Sequence, residues 1–81
     1  MEKWKTIVNG WIERDTSWIL YRNDTRSRLA DIRLRFLKVA KVPEEEKRKL
    51  YDYYLENLTA NIGGRRGQVT SYDGEIIWIG G

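Results

Sequence analysis

The stretch Trp4-Lys5-Thr6-Ile7-Val8-Asn9-Gly10-Trp11-Ile12-Glu13-Arg14-Asp15-Thr16-Ser17-Trp18-Ile19 decides the fold, because it can be read in two ways. At helical spacing, Trp4, Ile7, Val8, Trp11, Ile12, Trp18 and Ile19 share one face, with Asp15 as the single miss. Against this stand Asn9-Gly10, a hairpin-turn dipeptide, and flanks rich in Trp, Ile, Thr and Val. A hairpin turning at Asn9-Gly10 would mix Trp4, Thr6 and Val8 with Trp11, Glu13 and Asp15 on one face, which segregates poorly. In a helix, Asn9 and Gly10 lie off the apolar stripe, and the glycine costs about 1 kcal/mol. A helix over 2–21 is therefore expected, with an N-terminal β-meander over 3–22 as the alternative.

Downstream, Asn23-Asp24-Thr25 supplies turn and N-cap side chains. A second helix is expected from 25 to 41, because Leu29, Ile32, Phe36, Val39 and Ala40 fall on one helical arc and Leu, Ala, Arg and Lys favour helix. That arc is expected to face the core, with Arg35, Lys38 and Lys41 opposite. Val42-Pro43 separates it from a third helix over 43–62, since proline disfavours helix in the residue before it and suits a first turn. Glu44, Glu45 and Glu46 meet the positive end of the helix dipole, and Leu50, Tyr51, Tyr54, Leu55, Leu58 and Ile62 form its apolar stripe. Glu44 with Arg48 and Glu45 with Lys49 have the spacing of i, i+4 ion pairs. Gly63 is placed to cap the helix.

After Gly63-Gly64-Arg65-Arg66-Gly67 come two β-prone runs around Asp73-Gly74, a hairpin over 67–79. A two-residue turn at Asp73-Gly74 sets Val69 opposite Trp78 and Thr70 opposite Ile77. Ile76 and Trp78 then share one face and Ile77 and Ile79 the other, so both faces are apolar and the outer one needs a cover. The expected fold is α+β, mainly helical: three helices followed by a C-terminal β-hairpin. Eighty-one residues suffice for one core, so 1–81 is expected to be a single domain.

The residue types that are missing exclude whole classes of chemistry. The chain has no cysteine and no histidine. Cys/His zinc sites, haem ligation by histidine and Cys- or His-based nucleophiles are thereby removed. No phosphate-binding P-loop and no paired metal-ligand spacing is present, and Glu45-Glu46-Lys47 lies where acids belong for dipole reasons. No catalytic residue, metal ligand or cofactor is expected. No apolar run approaches the roughly 20 residues that span a bilayer, and the first residues lack a signal peptide's apolar stretch. Absence of cysteine fits a reducing compartment, so a cytoplasm, its own or a host's, is the expected setting.

What remains is binding. The net charge is +3, and residues 22–42 carry all the excess: seven basic residues against Asp24 and Asp31, or +5. Arg26, Arg35, Lys38 and Lys41 could meet phosphates, and Gly64-Arg65-Arg66-Gly67 combines close backbone approach with charge. A small nucleic-acid-binding regulatory protein using Arg26, Arg35, Lys38, Lys41, Arg65 and Arg66 is the first expectation. The same residues also suit a solvated helix face and a flexible loop. The element order resembles a winged helix lacking its early strand, but the third helix would then present Asp52 and Glu56 to phosphates, which opposes that arrangement. The alternative is a protein–protein adaptor or inhibitor, of the kind phages and viruses use as accessory proteins. Four tryptophans and five tyrosines are many for so small a core, and such side chains serve as binding anchors. An acidic protein surface is then the partner, and a homodimer through the hairpin or the stripe of Trp4, Trp11 and Trp18 fits either reading.

Overall fold

A computed structural model describes residues 2–22 and 28–81. Three helices, α1 (Glu2–Arg22), α2 (Arg28–Val39) and α3 (Glu44–Ile62), precede strands β1 (Arg66–Thr70) and β2 (Ile76–Gly80). The mainly helical α+β fold is as expected, and the N-terminal stretch is one helix without a meander. Asn9 and Gly10 are absorbed into α1: the Asn9 side-chain oxygen accepts from the Tyr53 hydroxyl at 2.6 Å, and a Cβ built on Gly10 would meet nothing within 4 Å. Packing of Val8, Trp11, Ile12 and Ile19 into the core outweighs the hairpin propensity of the dipeptide.

Helix α3 is the central element, with Leu50, Tyr51, Tyr54, Leu58 and Ile62 all buried. Its stripe is as the sequence predicts. Pro43 is the N-cap rather than the first helical residue, and its carbonyl accepts from the amides of Glu46 and Lys47 at 2.9 and 3.0 Å. Gly63 closes the helix at φ 58°. The expected ion pairs within α3 are replaced: Arg48 reaches Asp73 at 3.3 Å, and Lys49 approaches Glu46 at 4.0 Å.

Asp15, the miss in the α1 stripe, is fully buried. Its carboxylate accepts from the Tyr54 hydroxyl of α3 and from the Arg33 guanidinium of α2, the latter at 3.1 Å through one amino nitrogen and 3.4 Å through Nε. One carboxylate thus joins all three helices. Arg33 also lies over the Trp11 ring, 5.2 Å from its centroid.

This contact corrects the expected orientation of α2. Its buried side chains are Ala30, Leu34 and Leu37, and Arg33 completes that arc at i, i+3, i+4, i+7 spacing. The arc through Ile32, Phe36 and Val39 faces outward, with 53%, 51% and 81% of each residue exposed. The helix also ends at Val39, with Ala40–Val42 in bends, rather than at 41. The expected start at 25 lies outside the described residues.

The hairpin differs from expectation by one residue of register. Val69 pairs with Ile77, Thr70 with Ile76 and Gln68 with Trp78. The loop holds three residues, Tyr72-Asp73-Gly74, instead of two: the Gly74 amide donates to the Ser71 carbonyl at 3.0 Å, and Gly74 takes φ 93°. A turn followed by a positive-φ glycine is the usual three-residue hairpin loop. The shift places Val69 and Ile79 in the core, Ile77 half-buried beside them, and Ile76 and Trp78 outside. Tyr51 ties the hairpin down: its hydroxyl donates to the Thr70 carbonyl, with the Ala30 carbonyl of α2 at 3.5 Å. Aromatic contacts run on from Trp4 through Phe36, Trp11, Tyr54 and Tyr51 to Tyr72.

Two substitutions test this account. Asp15→Ala leaves Arg33 without its carboxylate and the Tyr54 hydroxyl without an acceptor, which is expected to cost about 3–5 kcal/mol. Total stability for this length is about 4–12 kcal/mol, so urea titration should find the variant barely folded. Replacing the whole set (Asp15→Leu, Arg33→Met, Tyr54→Phe) should recover most of the loss. Gly10→Ala, entering open space in a helix, should stabilise by about 0.5–1 kcal/mol in the same titration.

Candidate binding surface

Five of the six cations singled out in the sequence lie in the described residues, Arg35, Lys38 and Lys41 at the end of α2 and Arg65 and Arg66 at the open end of the hairpin. Arg26 lies outside the described residues. Arg35 is exposed on α2 and pairs with Asp31 one turn earlier at 3.1 Å. Lys38 projects over the Tyr72 ring, its Nζ 3.9 Å from the centroid, and Lys41 is exposed in the bend after α2. Arg65 and Arg66 stand at the open end of the hairpin. There Arg66 pairs with Gly80 and lays its guanidinium over the Trp78 ring at 4.5 Å.

The separation between these groups follows from strand geometry. Gly67 packs against Ile19 and Ile62, near the C-terminal ends of α1 and α3, whereas Tyr72 sits at the turn beside the end of α2. The five residues of β1, Arg66 to Thr70, span about 13 Å at ~3.3 Å per rise. The Debye length at physiological salt is about 8 Å. The charges at the two ends of β1 therefore influence each other little through solvent.

The turn end is the better-organised of the two. Tyr72, the first residue of the hairpin loop, is carried back onto the helices and is buried. Its hydroxyl donates to the Glu44 carboxylate in the first turn of α3, and Arg48 joins Lys38 over its ring at 4.4 Å. Lys47 closes the group by donating to the Lys38 backbone carbonyl at 2.7 Å. Burial, and then the bond to Glu44, push the Tyr72 phenol up to about 12. That bond, helped by Lys47 and Lys38, holds the Glu44 carboxyl below its usual value.

Beside Tyr72, a cleft of about 500 Å³ opens between the C-terminal half of α2 and the hairpin turn, lined by Leu34, Arg35, Lys38, Val39, Tyr72, Asp73 and Gly74. It adjoins the outward apolar arc of α2. Arg28 and Arg35 are exposed on the flank of that arc, so large apolar and cationic side chains alternate over the helix surface. On the hairpin, Ile76 and Trp78 form a second outward apolar pair, each about half exposed.

Arg35 and Lys38, two of the sequence's candidates, line the cleft, whereas the sequence pattern assigns the outward α2 arc to the core. The signal that could have found it was the charge on the inner face: Asp15 in one apolar stripe and Arg33 in the next helix are two misfits that answer each other. Among the described residues, no group of three or more acidic side chains gathers as a metal site. No described helix is long and apolar enough to cross a membrane. No protein-family model, curated protein or solved structure matches the chain.

The buried phenols give this region a titration signature. Burial raises the pKa of Tyr51 and Tyr54 as it does that of Tyr72, and the Asp15 carboxylate adds to both shifts. Unfolded tyrosines ionise near pH 10. Above that pH the unfolded state binds fewer protons than the folded one, so stability is full below about pH 10 and falls as pH rises. Phenolate absorbance should show fewer ionised tyrosines in the folded chain than in the urea-unfolded chain at the same alkaline pH, with Tyr51, Tyr54 and Tyr72 held protonated. Chemical denaturation should find stability declining over the same range.

Proposed function

We propose that this chain is a small non-enzymatic protein-binding module, an adaptor or inhibitor, acting through the outer face of α2. One observation carries the reading. Ile32, Phe36 and Val39 project from α2 into solvent while Arg28, Arg35 and Lys38 flank them. Large apolar side chains held in water at helical spacing gain from being covered by a partner. Full burial of each is worth about 1.5–3 kcal/mol. The cations along the same face favour an acidic partner and disfavour a basic one. Phe36 is pre-ordered for contact, since its ring meets Trp4 and Trp11 edge-on with centroids 6.0 and 5.7 Å apart, which lowers the entropy lost on binding.

Nucleic-acid binding is the second reading, favoured by the +5 of residues 22–42. A phosphate backbone would use the cations of α2 and leave its apolar arc in water. The absence of cysteine accords with action in a cytoplasm.

Photo-crosslinking separates these readings. With a photoreactive residue at Ile32, or at Glu56 on the outer face of α3, the chain is exposed to nuclease-treated lysate. A protein adduct formed from position 32, absent from 56, and reduced about tenfold by Val39→Asp is the expected result. Adducts formed equally from both positions would sink the proposal. So would anisotropy showing short DNA or RNA bound with a steep loss on adding salt and indifference to Val39→Asp.

A further inference from the structure

We propose that the cleft between α2 and the hairpin turn is an anchor pocket for a large apolar side chain of an acidic peptide segment. The inference rests on the reading of the chain as a protein-binding module and names the partner's chemistry at one site. The cleft, about 500 Å³, is broadly open to solvent, which suits one side chain laid against its floor by a peptide crossing the surface.

The chemistry of the lining selects the occupant. Leu34 and the Tyr72 ring are buried beneath it, while Val39 stands exposed at its rim. The Tyr72 hydroxyl is committed to Glu44, and Lys38 and Arg48 lie over its ring, so Tyr72 offers the cleft no free donor. Asp73 is compensated by Arg48 at 3.3 Å. A phosphate or sugar would lose water here and find few polar partners in return, whereas an aromatic or branched aliphatic side chain loses nothing by entering.

Charge at the rim sets the flanking residues. Arg35 is 78% exposed along its side chain and pairs with Asp31 as Asp73 does with Arg48, and exposed pairs of this kind leave each charge open to competition by a partner. Lys38 holds its ammonium over the Tyr72 ring, an arrangement that leaves its N–H groups able to donate elsewhere. Carboxylates placed on either side of the anchor meet these two cations, and lysines or arginines there would be repelled. The preferred segment therefore reads acid, apolar, acid. The turn is built to keep its side of the cleft open: a Cβ on Gly74 would meet nothing within 4 Å, and its φ of 93° suits glycine.

The test is a ¹H–¹⁵N NMR titration of the full chain with the synthetic acetylated peptide Asp-Glu-Asp-Leu-Phe-Asp-Glu-Asp. Saturable shifts centred on the Val39 and Gly74 amides are expected. They should vanish when Leu and Phe of the peptide become Ala, and when its acids become Lys. Val39→Asp and Arg35→Glu, both at exposed positions, should each weaken binding about tenfold or more. Trp78→Ala, on the outer face of the hairpin, should leave it unchanged. No saturable shift with the acidic peptide overturns the proposal. So do shifts that survive Val39→Asp, or an oligoribonucleotide that shifts the same amides in the peptide's place. A failed titration beside successful crosslinking from Ile32 removes the anchor pocket and leaves the protein-binding reading standing.

Discussion

The rest of the structure depends on one buried carboxylate. Asp15 lies fully out of solvent in the middle of α1, and it is answered from two directions, by the Arg33 guanidinium and the Tyr54 hydroxyl. An ion pair of this kind adds little net stability compared with apolar residues of the same shape, because desolvation offsets much of its attraction. Its force is conditional: with Asp15 inside, any packing that fails to supply Arg33 and Tyr54 strands a charge at a cost of several kcal/mol. That condition sets how α1, α2 and α3 meet.

The effect is clearest on α2, whose two faces are nearly matched in apolar content. One carries Ala30, Leu34 and Leu37, and the other Ile32, Phe36 and Val39. At about 1.5–3 kcal/mol for a buried aliphatic or aromatic side chain, hydrophobic burial alone does not favour the first and mildly favours the second. Only the first brings Arg33 to Asp15. The charge decides between them, and the larger apolar residues are left outside as a consequence. The outward arc on which the proposed binding function rests is thus the other side of the requirement at Asp15.

A comparable economy operates at the hairpin. One more residue in the loop than Asp73-Gly74 alone would need shifts the register, so that Val69 meets Ile77 instead of Trp78. The same loop swings Tyr72 back onto the helices, where Glu44 and Arg48 of α3 and Lys38 of α2 receive it. Tyr51 then fastens the β1 backbone from below. A two-stranded sheet is marginal on its own; here two buried tyrosines, one from the helix and one from the loop, dock it against the helices. The cleft exists because that loop stands beside the end of α2.

Local pattern was enough for some of the elements. The spacing from Trp4 to Ile19 favoured a helix over the β-meander and core packing settled it, whereas the Pro43 to Gly63 punctuation around α3 and the β-prone runs around Asp73-Gly74 marked a helix and a hairpin from residues within a few turns of one another. The cations Arg35 and Lys38 were legible as surface for the same reason. Only the tertiary structure decided which face of α2 is buried, which face of the hairpin looks outward, and that Lys38 meets Tyr72 at the turn while Arg65 and Arg66 stand at the other end of β1. Those outcomes depend on pairings across the chain: Asp15 with Arg33 and Tyr54, Tyr51 with Thr70, Tyr72 with Glu44. Periodicity counts a charged residue as a mark against burial, and it cannot register that a second charged residue, on another helix, cancels the mark.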